Sequence, residues 1–566
     1  MAKRNAILPA LFLFLSLVSF SQKNPENDRL RRIILTEGQA EVVIAYPGRT
    51  EIDQLTRNVS VYSVHDGKVK ISLSPLTVDW FLARRYDYSI VERAAHKGII
   101  TASGLSQAMQ WETYPSYTQY DSIMRHFHTA WPGLCVLDTI GTSINGRLVL
   151  ALKISDNCEE KEAEPSVFYS STIHGNETGG FILMLRLADY LLEKYSSDNR
   201  IRNLVDNLEI WINPLANPDG TYRSGNTIVA PLRYNAAGYD LNRNFPDPLL
   251  TNTVRQKETE DMMNFLQKNR FSLSANFHSG EEVINYPWDR WPYMHADSWW
   301  FYQIGRAWAD TAHKYARKGY MDFMDNGVTN GYDWYPVYGG RQDYVTYDLR
   351  GREVTVELDT NFITPAADLE DLWEYNYRSM LGYLENALFG IRGIITDAVT
   401  GKPLAAKITI DSHDTGDSFV MSDSVTGFYV RFLTTGSYDL RFEAENYNDT
   451  VLYDILVRNR ESTDLSVELV PEKGTDPPKV KSPLFYPNPA EEFVNMVLPD
   501  NMTGSIRISV YNSSGIKVAD YKQVSSGTLL EGISVSHLPP GLYHVLFRNQ
   551  ESGLNASGSF LVIRDF

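Results

Sequence analysis

The feature that most constrains the fold of this chain is a change of pattern near residue 390. Between about 110 and 389, strand-like runs alternate with long amphipathic helices, and beyond 390 the helices give way to short β runs punctuated by Gly, Asp and Pro. Alternating elements predict a mixed, mostly parallel sheet covered by helices on both faces. The later pattern is typical of small β-sandwiches. We therefore predict an α/β domain followed by all-β modules.

The length of 566 residues also exceeds what one compact core accommodates, so several domains are expected. In the central domain we predict strands at 166–173, 207–214, 271–278 and 353–359, and helices at 178–195, 254–269, 297–317 and 366–388. The predicted organisation is a signal peptide at 1–22, a small α+β domain at 23–108, the α/β domain at 109–389, a β-sandwich at 390–470, a Pro- and Lys-rich linker at 471–482 and a second all-β module at 483–566.

The N-terminus has the pattern of an export signal. Lys3 and Arg4 precede the apolar run "AILPALFLFLSLVSF", and a polar stretch follows a plausible cleavage point near Ser21 and Gln22. The run is shorter than the roughly 20 residues that a membrane-spanning helix needs. An exported chain without a membrane span is therefore expected, and an uncleaved anchor is the alternative.

Charge and cysteine content narrow the choice of partner and chemistry. The net charge of −17 argues against nucleic acid or an anionic membrane as the main partner. Only Cys135 and Cys158 are present, so no cysteine-based zinc cluster can be built. They flank a predicted hairpin, where either a disulfide or two free thiols would fit.

The stretch "STIHGNETGG" at 171–180 places His174 and Glu177 where a strand ends and a helix begins. Taken alone, the pair is explained better as a loop histidine and an acid stabilised by the dipole at a helix N-terminus than as metal ligands. Ligands of open α/β sheets, however, gather at the carboxyl ends of the strands. His278 ends another predicted strand, 101 residues after Glu177. Because catalytic zinc takes three protein ligands and keeps a fourth position open, His174, Glu177 and His278 form a candidate site.

Three further side chains stand out. Alternation in "EVTVELD" places Glu357 on the face opposite the apolar residues, which indicates either a general base on an inner strand or one solvated face of an edge strand. Arg233 and Arg243 stand ten residues apart in one loop region, where they would either grip a carboxylate and a carbonyl oxygen or remain solvated on the surface.

With these residues in view, the chain resembles the zinc metallocarboxypeptidases, and among them the carboxypeptidase N/E/D-like branch. The resemblance is carried in order by "HGNE", "NPDG", "LRYNAAGYDLNRNFPD", "NFHSGEEVINYPWD", "WYPVYGGRQDY" and "EVTVELD". It covers about 110–389, half of the chain. It implies a secreted hydrolase with one Zn²⁺ in the catalytic domain, acting on the C-termini of peptides or proteins, and we expect a monomer.

The resemblance also implies a role for each matching residue. His174, Glu177 and His278 resemble the zinc ligands, Glu357 the general base, and Arg233 the arginine that stabilises the oxyanion. Asn242 and Arg243 resemble the clamp on the substrate carboxylate, and Tyr335 the tyrosine that closes over the bound residue. Asp289 and Gln342 match positions that in this branch favour a C-terminal Lys or Arg. Arg341, beside Gln342, departs from the family pattern and places that preference in doubt.

The flanking segments resemble known modules as well. Residues 390–470 resemble the transthyretin-like domain of this branch, and the stretch from 483 is similar to C-terminal sorting domains of the type IX secretion system. The second resemblance implies the type IX machinery as a partner and a final location outside the cell or at its surface. A carbohydrate-binding or purely structural β module is the alternative. Residues 23–108 carry no evident chemistry and are either an accessory domain or a pro-segment.

The leading prediction is thus a secreted zinc carboxypeptidase. Two alternatives remain open at this point. One is a hydrolase of the same fold that cleaves cell-wall peptides at diamino-acid linkages, and the other is an inactive peptide-binding relative. The complete set of predicted ligands, together with Glu357, counts against the inactive relative.

Overall fold

The computed structural model describes residues 24–92, 98–250, 254–472, 482–499, 502, 504–525, 529–550 and 554–564. The predicted signal peptide (1–22) lies outside the described residues, and so does most of the predicted linker (471–482). Among the helices of the described segments, none combines the length and the apolar composition needed to cross a bilayer.

The N-terminal domain is a four-stranded antiparallel sheet with three helices. Its sheet order is β2-β3-β1-β4. The side chain of Asn24 caps the first helix, which buries Leu30 and Ile34 against the sheet. The elements are α1 (Pro25–Glu37), β1 (Ala40–Ala45), α2 (Arg49–Thr56), β2 (Ser60–His65), β3 (Lys68–Leu73), α3 (Val78–Ala83) and β4 (Tyr88–Val91).

The central domain is built on an eight-stranded mixed sheet. Its strands are β5 (Cys135–Thr142), β6 (Leu148–Ile154), β7 (Ser166–Ser171), β8 (Glu209–Asn213), β9 (Leu273–His278), β10 (Glu282–Tyr286), β11 (Val328–Asn330) and β12 (Arg352–Leu358). Its helices and helical turns are α4 (Leu105–Ala108), α5 (Tyr117–Ala130), α6 (Gly179–Lys194), α7 (Asn199–Val205), α8 (Pro218–Thr221), α9 (Lys257–Asn269), α10 (Ser298–Tyr315), α11 (Phe323–Gly327), α12 (Gly331–Trp334), α13 (Arg341–Asp343) and α14 (Leu369–Glu385).

The order of this sheet is β11-β10-β12-β9-β7-β8-β6-β5. The four strands β12, β9, β7 and β8 are parallel neighbours at its centre. β10 and β6 pair with them antiparallel on the two sides, β11 is parallel to β10, and β5 is antiparallel to β6. Every residue of β7 and β9 is buried, as expected for strands covered on both faces. The predicted α/β class is confirmed. The four predicted strands and the four predicted helices of this domain are also confirmed, with small shifts at their ends.

Two all-β units follow. Residues of the first form a pair of four-stranded sheets from β13 (Gly390–Asp397), β14 (Lys407–Ile410), β15 (Val420–Met421), β16 (Phe428–Arg431), β17 (Gly436–Glu443), β18 (Thr450–Val457), β19 (Ser462–Asp464) and β20 (Val467–Leu469). The second has a three-stranded and a four-stranded sheet from β21 (Leu484–Tyr486), β22 (Phe493–Val497), β23 (Gly504–Asn512), β24 (Lys517–Ser525), β25 (Leu529–Ser534), β26 (Gly541–Asn549) and β27 (Asn555–Val562).

The first sandwich is joined to the central domain through a buried ionic network. Asp297 accepts hydrogen bonds from Arg352 Nε (2.9 Å) and Arg431 Nη1 (2.5 Å), and it lies 2.8 Å from the ring of His413. Trp300 stacks on Phe432 beside it, with ring centroids 5.0 Å apart. Burial alone would raise the pKa of Asp297, but Arg431 and Arg352 outweigh burial and hold that pKa well below its ordinary value.

The two cysteines lie at the far side of the sheet from this network. Cys135 is the first residue of β5, and Cys158 follows β6. Both thiols are free and buried, so of the two alternatives left by the sequence the structure has free thiols. Burial raises the pKa of Cys135, which makes it an unreactive core residue.

Candidate metal and substrate site

The predicted metal ligands meet at the carboxyl ends of two neighbouring strands. His174 and Glu177 follow β7, and His278 is the last residue of β9. His174 Nδ1 lies 2.8 Å from Glu177 Oε1, His278 Nδ1 lies 2.8 Å from Glu177 Oε2, and the two ring nitrogens are 3.1 Å apart. One ligand atom from each residue fits within 4.8 Å of the others. This convergence was predicted from the sequence alone.

The turn that carries His174 depends on the neighbouring "NPDG" segment. The amide nitrogen of Asn217 donates to the carbonyl oxygens of Ile173 and Arg233, at 3.2 and 3.3 Å. A Cβ on Gly175 would stand 2.4 Å from the carbonyl carbon of Gly220, so only glycine allows this approach. The turn-rich segment therefore supports the site structurally and contributes no ligand.

The arrangement fits a bound cation on chemical grounds. Two imidazole nitrogens and a carboxylate face one point, and all three residues are buried. The two ring nitrogens lie 3.1 Å apart, where a cation bound between them would stabilise both. Two histidines and one glutamate are a known ligand set of catalytic zinc. The outer nitrogens are also held: His174 Nε2 lies 3.0 Å from Asp240, and His278 Nε2 lies 3.5 Å from the Asn242 amide. Such outer contacts orient metal-binding imidazoles.

Asp240 is a site residue that sequence reasoning missed. It bridges His174 and Arg233, accepting from Arg233 Nε at 2.9 Å. Burial would raise the pKa of Asp240, yet Arg233 and His174 hold it well below its ordinary value. The signal lay in "YDLNRNFPD", where the aspartate comes two residues before Asn242, but turn chemistry explains an aspartate there equally well.

Glu357 lies on β12 beside the ligands, directly paired with His278 across the parallel strands. One of its carboxylate oxygens is buried and has no hydrogen-bond partner among the described residues. Burial, followed by the negative charge of Glu177, raises the pKa of Glu357 well above its ordinary value. A metal cation would act in the opposite direction. A half-buried carboxylate with one unpartnered oxygen at this position suits a proton acceptor.

Both predicted arginines line the same cleft. Arg233 donates from Nη1 to Glu177 Oε1 at 3.1 Å, and Arg243 donates from Nη1 to the carbonyl of Asn242 at 2.9 Å. The Nε of Arg243 is buried without a partner among the described residues, so this guanidinium retains capacity for an anion. The arginines are therefore cleft residues and not solvated surface groups.

Comparison with known proteins agrees with this geometry. Residues 120–379 match the zinc carboxypeptidase family, and residues 484–557 match the secretion system C-terminal sorting domain. The carboxypeptidase N catalytic chain of Rattus norvegicus is 31% identical over 375 residues, which are 58% of this chain and 80% of that protein. The chain belongs to the zinc carboxypeptidase family.

Two other similarities are more limited, one in the share of the relative that is covered and the other in sequence identity. Carboxypeptidase D of Drosophila melanogaster is 33% identical over 389 residues, 64% of this chain, but the chain spans only 27% of that protein's length. The solved structure of carboxypeptidase A from Helicoverpa armigera is 17% identical, with 62% of this chain and 98% of that chain covered and a TM-score of 0.48. That overall similarity is too low to carry an argument, so the fold rests on the topology described above.

The far end of the carboxypeptidase cleft forms an acidic pocket. Asp289 is buried, and its Oδ1 accepts from Gln342 Nε2 at 2.8 Å, while the same nitrogen donates to Asn285 Oδ1 at 3.2 Å. Asn285 and Asp289 line the cleft, and Gln342 lies behind them and positions Asp289. Burial, followed by Asp343, raises the pKa of Asp289 well above its ordinary value.

Arg341, whose charge cast doubt on this pocket, points elsewhere. It is fully buried and donates from Nε and Nη2 to the two oxygens of Glu353, at 2.9 and 3.1 Å. Such a bidentate pair neutralises the guanidinium charge. The departure from the family pattern therefore leaves the acidic pocket intact.

The N-terminal domain forms one wall of the cleft. The Tyr335 hydroxyl donates to the backbone carbonyls of Val61 and Tyr62, at 3.3 and 3.5 Å. The ring of Tyr62 lies under the Arg233 guanidinium at 4.8 Å, and Ser60 donates to Asp240 at 2.6 Å. With this wall in place the cavity beside the ligands has a volume of about 40 Å³. No sequence signal identified these contacts, because they join segments between 171 and 274 residues apart.

Proposed function

We propose that this chain is a secreted, zinc-dependent carboxypeptidase that hydrolyses the C-terminal peptide bond of peptides or proteins. The observation that carries the proposal is the meeting of three functions in one cleft: a metal-ligand set, a carboxylate and an arginine, the last two each with a buried polar atom that has no partner among the described residues. A clamp for a free carboxylate beside hydrolytic groups favours cleavage at the chain end over cleavage within a chain.

Arg243 and Asn242 hold the substrate carboxylate in this proposal. The Arg243 guanidinium presents the charge, and the Asn242 side chain is fixed because its Oδ1 accepts from the backbone nitrogen of Arg341 at 2.9 Å. Tyr335, on the loop that follows α12, closes over the bound residue. Because these residues hold the substrate's C-terminal residue in place beside the catalytic groups, the reaction becomes an effectively intramolecular step.

The remaining residues handle the proton and the developing charge. Glu357 accepts a proton from the attacking water and later delivers it to the leaving amine. Arg233 donates to the oxygen on which negative charge develops, and Asp240 keeps its guanidinium oriented. Zinc held by His174, Glu177 and His278 would acidify the water and polarise the scissile carbonyl.

The acidic pocket favours a C-terminal Lys or Arg. Asp289 is buried and forms no ion pair among the described residues, so it gains a partner when a basic side chain enters, and Asn285 and Gln342 fix its orientation. Because an unpaired buried carboxylate is costly, the energetic gain is larger for a cation than for an apolar group. The paired state of Arg341 removes the objection that the sequence raised.

The N-terminal domain, by the same proposal, is a pro-like domain that has to move before a peptide enters. Its residues Val61 and Tyr62 occupy the wall where the substrate would lie, and they hold Tyr335 and Arg233 by direct contact. A cavity of about 40 Å³ is too small for a peptide residue beside the ligands. An accessory domain without this effect is the alternative.

The two C-terminal units complete the proposal. The sandwich of 390–470 is a transthyretin-like domain that is locked to the catalytic domain through Asp297. The sorting domain indicates type IX secretion, and with it a secreted or cell-surface location. The type IX machinery is therefore the expected partner for export.

A panel of blocked peptides tests the function. Hippuryl-Arg, hippuryl-Phe and a cell-wall peptide with a diamino-acid linkage are incubated with the purified protein, with and without a chelator, and the released residues are identified by mass spectrometry. The proposal predicts release of free arginine, slower release of phenylalanine, and loss of both with the chelator. Turnover of the cell-wall peptide alone would replace the proposal with the second hydrolase class. Absence of turnover in every arm would refute it.

A further inference from the structure

One acidic residue in the cleft has no role in the mechanism above. Glu281 lines the cleft together with the ligands and Glu357, and it is half-buried. Within the described part of the chain it forms no hydrogen bond and no ion pair. Its neighbour Glu282, by contrast, is paired with Arg317 at 2.5 Å and accepts from the backbone nitrogen of Met321 at 3.3 Å. A partly desolvated carboxylate without a partner is energetically unfavourable unless something supplies one.

The strand register shows on which side of the reaction centre Glu281 lies. On β10, Val283 is opposite Glu357 and Asn285 is opposite Thr355. Residues two apart in an extended chain face the same side and are separated by about 6.6 Å. Asn285 and Glu281 therefore flank Glu357 on opposite sides along the strand. Because Asn285 belongs to the pocket for the C-terminal side chain, Glu281 lies where the residues upstream of the scissile bond must pass.

The wall around Glu281 is closely packed, and a lysine lies over its aromatic ring. A Cβ on Gly280 would stand 2.4 Å from the Phe362 ring, so glycine is required there and the backbone of this segment packs directly on that ring. The Lys70 ammonium of the N-terminal domain lies 4.8 Å from the centre of the same ring. Burial raises the pKa of Glu281, although the nearby His65 and Lys70 side chains oppose the shift. The N-terminal domain thus brings one ammonium group, which is shared with Glu41 at 2.8 Å, to this part of the cleft.

We infer that Glu281 is a specificity-determining residue that selects peptides with a positively charged side chain at one of the two positions upstream of the scissile bond. The inference rests on the proposed carboxypeptidase function. A guanidinium or ammonium group at that point meets the Glu281 carboxylate and the face of Phe362 together. When the N-terminal domain moves away, Glu281 and Phe362 lose the nearby Lys70 ammonium, and the substrate's own cation takes its place.

Competition between matched peptides tests this inference on the full zinc-loaded chain. Blocked Ala-Ala-Arg, Ala-Arg-Arg and Arg-Ala-Arg share the same C-terminal residue, so they differ only in the upstream positions. The position of the N-terminal domain scales kcat/KM for all three equally, because only the open fraction binds substrate. The ratio of kcat/KM values therefore reports the upstream subsite alone. We expect about a fivefold to tenfold preference for one or both peptides with an upstream arginine, as for a partly desolvated charge pair.

Two variants decide whether Glu281 causes the preference. Glu281→Gln keeps the shape and removes the charge, and we expect the ratio to fall to about one with hydrolysis of Ala-Ala-Arg retained. Glu282→Gln, at the adjacent position but paired with Arg317, serves as the matched control and should keep the wild-type ratio. Raised salt should weaken the wild-type preference.

Three results would overturn the inference. The first is the absence of any upstream preference in the wild-type chain, and the second is a preference that Glu281→Gln leaves unchanged. The third is an equal loss in Glu282→Gln, which would point to the fold of the strand and not to the charge. If even Ala-Ala-Arg is not hydrolysed by the zinc-loaded chain, the proposed function itself fails, and this inference falls with it.

Discussion

Replacing Asp297 by Asn should destabilise the chain strongly, because Asp297 neutralises two arginines that water does not reach. Arg352 and Arg431 are 1% and 0% exposed, and Asp297 accepts hydrogen bonds from both. Asn keeps the shape of the side chain and one acceptor oxygen but removes the negative charge. Two buried arginines then remain with Asp414, which pairs with Arg431, as the remaining carboxylate. Removing one member of a buried pair costs about 3–5 kcal/mol. At roughly 2–4 °C per kcal/mol for domains of this size, the melting temperature should fall by about 10 °C.

Differential scanning calorimetry on the wild type and three variants measures this effect. Arg441→Ala is the control, because it removes an exposed ion pair with Asp411 and should cost about 1 kcal/mol or less. Asp297→Asn combined with Arg431→Met removes one of the stranded charges and should recover part of the loss. The reasoning is refuted if Asp297→Asn melts within about 2 °C of Arg441→Ala. A double variant no more stable than Asp297→Asn would show that charge is not the cause.

Three further outcomes follow from the structure. Tyr62→Ala removes the ring from Arg233 and should raise kcat/KM for hippuryl-Arg several-fold. Tyr46 is exposed on the same domain, and Tyr46→Ala should leave kcat/KM unchanged. Equal kcat/KM values for the Tyr62→Ala variant and the wild type would argue against a pro-like domain. Asp289→Asn should lower kcat/KM for hippuryl-Arg at least tenfold with little change for hippuryl-Phe, and a parallel loss for both would exclude the acidic pocket as the cause of preference. Burial raises the pKa of Glu164 to about 8 from an ordinary 4.5. Its stabilising effect is therefore complete below pH 4.5 and is lost as the pH rises to about 8. Relative to wild type, Glu164→Gln should gain stability across that window in denaturant titrations, and a constant difference would contradict the assignment.

The sequence predicted the catalytic domain well because its signals are local. Strand ends next to His174 and His278, and the alternation around Glu357, follow from periodicity and from where ligands gather in α/β sheets. The residue roles came from the family resemblance, and the structure brings those residues into one cleft, with Gln342 behind its wall. Each of these features is encoded within a few residues of chain.

The features that escaped prediction depend on contacts between distant segments. Asp240 lies in a turn-rich stretch whose composition explains it without a site, and only the fold places it between His174 and Arg233. The pairing of Arg341 with Glu353 could not be predicted, because the sequence does not show which face of β12 lies against Arg341. The position of Tyr62 in the cleft depends on how the N-terminal domain docks, which no local pattern in the sequence reports.

The most direct test of the central claim compares the wild type with Glu357→Gln, each loaded with zinc and assayed for arginine release from hippuryl-Arg. The predicted result is one zinc per chain in both proteins, with the rate of the variant lower by about 10²–10⁴-fold. Equal rates in the two proteins, or wild-type hydrolysis that persists after the zinc has been removed, would contradict the account.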